Sequence, residues 1–124
     1  MAYTSYITVK NQFVGTHKWG NCPHEDVAFL KNEHRHVFHV QTVLPVNHDD
    51  RDLEFFMVQN EIDKTIYDLY DGNTVHLELG NRSCEMVAKE IIDGLRKTYD
   101  NLPWIRVSVS EDDENSAGVM WEKD

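Results

Sequence analysis

Between residues 53 and 99 the apolar side chains recur every three or four positions, whereas on either side of that stretch they alternate. Phe55, Val58, Ile62, Ile66 and Leu69 form one stripe of an amphipathic helix over 53–69. Val87, Ile91, Leu95 and Tyr99 form the stripe of a second helix over about 83–99, with Ser83 placed as its N-cap. Residues 3–17, which include Tyr3, Tyr6, Ile7, Val9, Phe13 and Val14, read as a strand or a bent pair of strands. Residues 34–46, rich in Val, Phe, Thr and His, read as another. After Pro103, Ile105, Val107 and Val109 alternate with Arg106, Ser108 and Ser110, which predicts a half-buried strand. An acidic turn over 111–116 then leads to Val119–Trp121, which can close a hairpin. Residues 18–33, 47–52 and 70–82 read as loops, the second a polar turn able to cap a helix start. The order ββααββ predicts an α+β fold: an antiparallel sheet with both helices on one face. With no repeat and no dividing linker, residues 1–124 are expected to form one domain.

A chain of 124 residues with 40% hydrophobic content can bury a core without disulfides or a structural metal. Its net charge of −10 argues against binding duplex nucleic acid or a polybasic membrane anchor. No apolar run is long enough to span a bilayer, and the start Met1-Ala2-Tyr3-Thr4-Ser5-Tyr6 lacks the features of a secretory signal. Two cysteines, Cys22 and Cys84, are too few for a disulfide framework, so a cytoplasmic location is expected.

The seven histidines carry most of the chemical information. Residues two apart on a strand share a face, so His34 and His36 present two imidazoles side by side. If 3–17 and 34–46 pair antiparallel, His17 returns beside them. Three neutral imidazoles with an open fourth position form a catalytic zinc site. The same histidines also read as solvated strand residues. His39 points away from His36 and reads as structural, and His24 and His48 lie in polar loops.

The segments Phe13-Val14-Gly15-Thr16-His17 and His34-Arg35-His36-Val37-Phe38 resemble the Phe-x-x-x-His and His-Gly-His strands of the 6-pyruvoyl-tetrahydropterin synthase and 6-carboxytetrahydropterin synthase family. Asp52-Leu53-Glu54-Phe55-Phe56 is similar to the family's Asp-Phe helix start, and Ser83-Cys84-Glu85 to the Thr-Ser-Glu or Thr-Thr-Glu that opens its second helix. Val107-Ser108-Val109-Ser110-Glu111 is similar to its late strand, which ends in a pterin-anchoring Glu. The resemblance spans roughly residues 10–111 in order. It implies the tunnelling fold, a four-stranded antiparallel sheet with two helices on one face, assembled into a homo-oligomer that is commonly a hexamer. It implies Zn2+ on His17, His34 and His36, and a pterin held by Glu111 near Ser83 and Cys84. A carboxylate suits that anchoring role, because it accepts two parallel hydrogen bonds from a pterin's N–H and amino groups. Glu111 also reads simply as the start of the acidic turn Glu111-Asp112-Asp113-Glu114.

The chain departs from the pattern where the family carries its proton-transfer groups. The family's cysteine lies a few residues before His-Gly-His, where this chain has Ala28 and Leu30. Cys22 is the substitute base, with Glu25 as second candidate, and Cys22 also reads as a small loop residue without a role. The family's Asp–His relay falls on Asp71, followed here by Gly72, with His76 able to supply the imidazole; Asp71-Gly72-Asn73 also reads as a plain turn. Arg35 replaces the family's glycine but points to the other face. Cys84, in a first helical turn, is expected to have a lowered pKa. A triphosphate substrate needs local cations, which Lys18, Arg35 and Arg82 would supply.

These residues lead to a zinc-dependent pterin lyase-type enzyme similar to 6-carboxytetrahydropterin synthase, as in deazaguanine biosynthesis, acting on dihydroneopterin triphosphate or a related pterin. The alternatives are a zinc-binding tunnelling-fold module without catalysis, or one acting on another pterin or purine, and a metal-free α+β interaction domain.

Overall fold

The computed structural model describes residues 2–71 and 76–124. Five strands and two α-helices follow in the order β1 (Ser5–His17), β2 (His34–Val46), α1 (Phe55–Leu69), β3 (Leu77–Gly80), α2 (Cys84–Thr98), β4 (Trp104–Glu111) and β5 (Ser116–Glu122). A short 3-10 helix, Glu25–Lys31, interrupts the loop between β1 and β2. The sheet order is β3-β1-β2-β4-β5. The pairs β1–β2, β2–β4 and β4–β5 are antiparallel, whereas β3 runs parallel to β1.

The α+β class holds, but the sheet has five strands rather than four and is mixed rather than wholly antiparallel. The additional strand is β3, inside the segment expected to be a loop. Its signal is only Leu77 and Leu79 alternating with Glu78 and Gly80, too short a run to separate from a turn. Both leucines are fully buried against the core, which is what holds this edge in place. The closing hairpin is longer than Val119–Trp121, because β5 pairs with β4 from Ser116 onward.

Two side chains start the helices. Glu54 accepts from the N–H groups of Phe56 (2.6 Å) and Met57 (3.3 Å), so Glu54 caps α1, not the 47–52 turn. Asp52 instead closes that turn by accepting from Asn47 N–H. Ser83 caps α2 as expected, its hydroxyl accepting from Met86 N–H at 3.2 Å.

The helices lie on one face of the sheet. Ile62, Ile66, Val87, Ile91 and Leu95 pack on Phe13, Phe38, Val40, Leu44, Ile105, Val107 and Val109, all buried. Phe55 and Leu69, on the predicted stripe of α1, are exposed at its two ends. Gly94 faces Thr65 so closely that a Cβ there would lie 2.6 Å from Thr65 Cγ2, which fixes the approach of α2 to α1. Among the described residues no helix is long and apolar enough to cross a membrane.

Candidate metal centre

The β1–β2 register sets His17 directly across from His34. His36 follows on the same face, and Glu111, at the end of β4, is registered across from Phe38. The N-terminus of α2 lies at the same end of the sheet. The ring centroids of His17 and His34 are 4.5 Å apart, those of His34 and His36 5.0 Å, and those of His17 and His36 5.4 Å. Phe38, fully buried, forms the apolar floor, its ring 5.1 Å from that of His17. One ring nitrogen from each histidine lies within 4.8 Å of the other two.

Each imidazole is oriented through Nδ1. His17 Nδ1 lies 3.0 Å from the Arg82 carbonyl oxygen, His34 Nδ1 2.8 Å from the Asn32 carbonyl, and His36 Nδ1 2.7 Å from Asp112 Oδ2. A carbonyl or carboxylate oxygen can only accept, so all three Nδ1 atoms carry the proton. In the neutral imidazole this tautomer leaves Nε2 with its lone pair, the state that a metal requires. His17 Nε2 is buried and has no hydrogen-bond partner among the described residues. Burial holds His17 below its ordinary pKa of 6.5, against the raising effects of the Arg82 carbonyl and Glu111, and His34 and His36 lower it further. A buried, neutral, unpartnered nitrogen beside two more imidazoles fits a divalent cation with nitrogen preference, of which zinc is the expected one.

Asp112 belongs to this arrangement, although its place in the acidic turn gave it no distinguishing signal. Its second oxygen accepts from Val37 N–H at 2.9 Å, and its own N–H donates to the Val37 carbonyl. The His36 and Val37 hydrogen bonds hold its carboxyl below the usual range.

A cavity of about 470 Å³ opens beside the rings. His17, His34, Lys18, Ser83, Cys84 and Glu111 line it. The predicted metal and substrate-binding residues are therefore brought together. The Glu111 carboxylate stands 3.1 Å from His17 Nε2 and 3.5 Å from His36 Nε2, and the Cys84 thiol donates to it at 3.8 Å. The expectation of a lowered Cys84 pKa is corrected: burial, with Glu111 and Glu85 adding to it, pushes the thiol up to about 12. Desolvation and two neighbouring carboxylates outweigh the helix N-terminus.

The predicted proton-transfer residues are not gathered in the same way. Cys22 is buried outside the cavity lining, its thiol directed at the carbonyl oxygens of His24 (3.6 Å) and Val27 (3.8 Å). Glu25 is exposed at the start of the 3-10 helix and does not line the cavity. Asp71 and His76 are exposed on either side of residues 72–75, so the proposed turn through Gly72 and Asn73 lies outside the described residues. Arg35 is exposed on the face away from the rings, as expected. Arg82 reaches the cavity, but its Nε donates to Glu90 at 2.7 Å. His39 lies on the other face of the sheet, beside Lys10 and Arg106.

Fold and rings together define an α+β protein with a three-histidine cluster at one end of its sheet. No family model and no curated protein matches the sequence. Solved structures do match the fold. The 6-pyruvoyl tetrahydropterin synthase of Plasmodium falciparum superposes with a TM-score of 0.69 at 14% identity, over 97% of this chain and 99% of that one. The Plasmodium vivax 6-pyruvoyltetrahydropterin synthase, in a variant with a catalytic glutamate replaced by alanine, gives 0.70 at 14% identity, over 98% and 100%. A dihydroneopterin aldolase from Burkholderia thailandensis, bound to guanine, gives 0.53 at 16% identity, over 98% and 93%. The chain thus shares their fold.

Proposed function

We propose that this protein is a zinc-dependent pterin enzyme that moves a proton and cleaves a side-chain bond on dihydroneopterin triphosphate or a related pterin. The observation that carries this reading is the common orientation of His17, His34 and His36, each with Nδ1 on a fixed acceptor and the three rings clustered, with His17 and His34 lining a cavity. Held by His17, His34 and His36, zinc would supply Lewis-acid polarisation of a substrate side-chain oxygen and so acidify the adjacent C–H.

The chain's own residues supply the rest. Phe38 and the sheet shield the rings from water on one side. Glu111 accepts from the N–H and amino groups of the pterin, and Ser83 and Cys84 form the pocket wall beside it. Guanine, present in the aldolase structure, carries the same donor edge. The proton carrier is Cys22 or Glu25. A catalytic glutamate in the Plasmodium vivax synthase supports the carboxylate, and the inward-turned Cys22 thiol weighs against the cysteine. Asp71 and His76 are the proposed relay. The reading includes a cytoplasmic homo-oligomer, with a hexamer expected and no nucleic-acid or membrane partner.

One observation favours a less charged pterin over the triphosphate. Of the three expected cations, Arg35 points away and Arg82 is held by Glu90, which leaves Lys18 at the cavity with no ion pair among the described residues.

Metal analysis of the purified protein, with product analysis after incubation with dihydroneopterin triphosphate, tests the proposal. Bound zinc with product supports the enzyme. Zinc without product supports another pterin or purine substrate, or a non-catalytic module. No metal, with stability unchanged in His34→Ala, supports an interaction domain.

A further inference from the structure

We propose that Glu111 closes the three-histidine centre as a fourth, carboxylate donor when no substrate is bound, so that substrate entry is a ligand exchange at the metal. This inference rests on the metal centre proposed above and goes beyond the anchoring role given to Glu111.

The argument is one of lone pairs. The Nδ1 atoms of His17 and His36 are committed as donors to the Arg82 carbonyl and to Asp112. In the neutral rings their Nε2 atoms present lone pairs, and the Glu111 oxygens stand against those same two atoms, at 3.1 and 3.5 Å. No hydrogen bond joins His17 Nε2 to Glu111, because that nitrogen has no partner of hydrogen-bonding geometry. A carboxylate facing two imidazole lone pairs is repulsive unless a positive charge lies among them. A ring proton or a metal ion meets that requirement, and the lack of hydrogen-bonding geometry at His17 Nε2 points to the metal. Tetrahedral nitrogen and oxygen ligands about 2.0–2.1 Å from zinc stand roughly 3.3 Å from one another, which the two observed separations bracket.

The backbone sets the direction of this approach. Glu111 is registered across from Phe38, so its side chain emerges on the face that carries His36. The Cys84 thiol donates to Oε1 and steadies the carboxylate from the other side. A pterin or guanine edge offers this carboxylate two N–H donors in place of a metal bond, and its departure opens the position that a substrate oxygen needs.

Cobalt(II) titration of the whole protein tests this, read by chelator competition and by the visible absorption of bound cobalt. Glu111→Gln keeps the size but removes the charge and one acceptor oxygen, and is a poor metal ligand; Glu111→Ala is the second variant, and thermal unfolding of each metal-free protein checks its fold. The expected result is a metal affinity at least about tenfold weaker in both variants and a changed cobalt spectrum. Guanine is expected to alter the wild-type spectrum and to leave that of Glu111→Gln unchanged. Equal affinity and identical spectra in wild type and both variants overturn the fourth-donor role while leaving the three histidines standing. Failure of the wild type to bind cobalt, or binding by His34→Ala as tight as wild type, overturns the metal centre and this inference with it.

Discussion

The imidazole of His36 and the carboxylate of Asp112 meet at 2.7 Å, and the other oxygen of the same carboxylate holds the N–H of Val37. One aspartate thus fixes both the ring and the backbone beside it. Asp112 has a positive φ of 55°, which Asn also tolerates, so Asp112→Asn removes the charge without straining the chain. We expect this variant to keep the thermal stability of the metal-free protein and to lose about 10- to 100-fold in zinc affinity, the range for a carboxylate behind a ligating histidine. A zinc titration against a chromogenic chelator measures it, and unchanged affinity rules Asp112 out as a positioning residue.

Burial lowers the pKa of His17 from its ordinary 6.5, which makes the fold sensitive to acid. Below pH 6.5 the unfolded chain takes up a proton on this residue that the folded chain does not. Stability of the metal-free protein is therefore full above about pH 6.5 and falls as the pH drops through and below that value. His17→Gln should flatten this part of the profile. Urea midpoints between pH 8 and 5 decide it, and an equal slope in both proteins refutes the assignment.

How much of this could be read from the sequence depended on whether a residue's partners were near in period or only in space. The stripe Val87, Ile91, Leu95 declared α2, and Ser83 declared its cap, because both are local patterns. His34 and His36 followed from strand alternation, and His17 from assuming one antiparallel pair, which the register places across from His34. Leu77 and Leu79 were not legible as a strand, since four residues carry little period and parallel pairing with β1 leaves no local mark. Asp112 was indistinguishable from Asp113, because only the β2–β4 pairing decides which of them meets His36. The expected sign of the Cys84 shift fails because burial, which only packing decides, outweighs the local helix end, and Glu111 arrives from β4 to add to it.

Cys84 makes the opposite prediction at high pH. Its folded pKa of about 12 lies above the ordinary 9.0, so the folded thiol keeps its proton where the unfolded one loses it. Its contribution to stability is complete below pH 9 and is lost as the pH rises from 9 towards 12. Cys84→Ser should blunt that loss. In the native protein Cys84 should also resist iodoacetamide at pH 8 and react at once in denaturant. Rapid native labelling of Cys84, located by mass spectrometry, contradicts the raised pKa.

Gly94 and Thr65 set the spacing between the helices, and a double-mutant cycle can show it. On propensity alone, Gly94→Ala in the middle of α2 should stabilise by about 1 kcal/mol. The added methyl would lie 2.6 Å from Thr65 Cγ2, and that methyl cannot swing away because Thr65 Oγ1 donates to the Glu61 carbonyl at 2.8 Å. Overpacking of this kind costs roughly 1–3 kcal/mol, so the single variant should be destabilised by about 1 kcal/mol. Thr65→Ser deletes only the clashing methyl and keeps the hydroxyl bond. On that background Gly94→Ala should change sign and stabilise, giving a coupling of 1 kcal/mol or more, on the order expected for residues in contact. Chemical denaturation of the wild type, both singles and the double variant supplies the four free energies. Additive effects would mean that the helices relax apart at little cost and that Gly94 does not fix their approach.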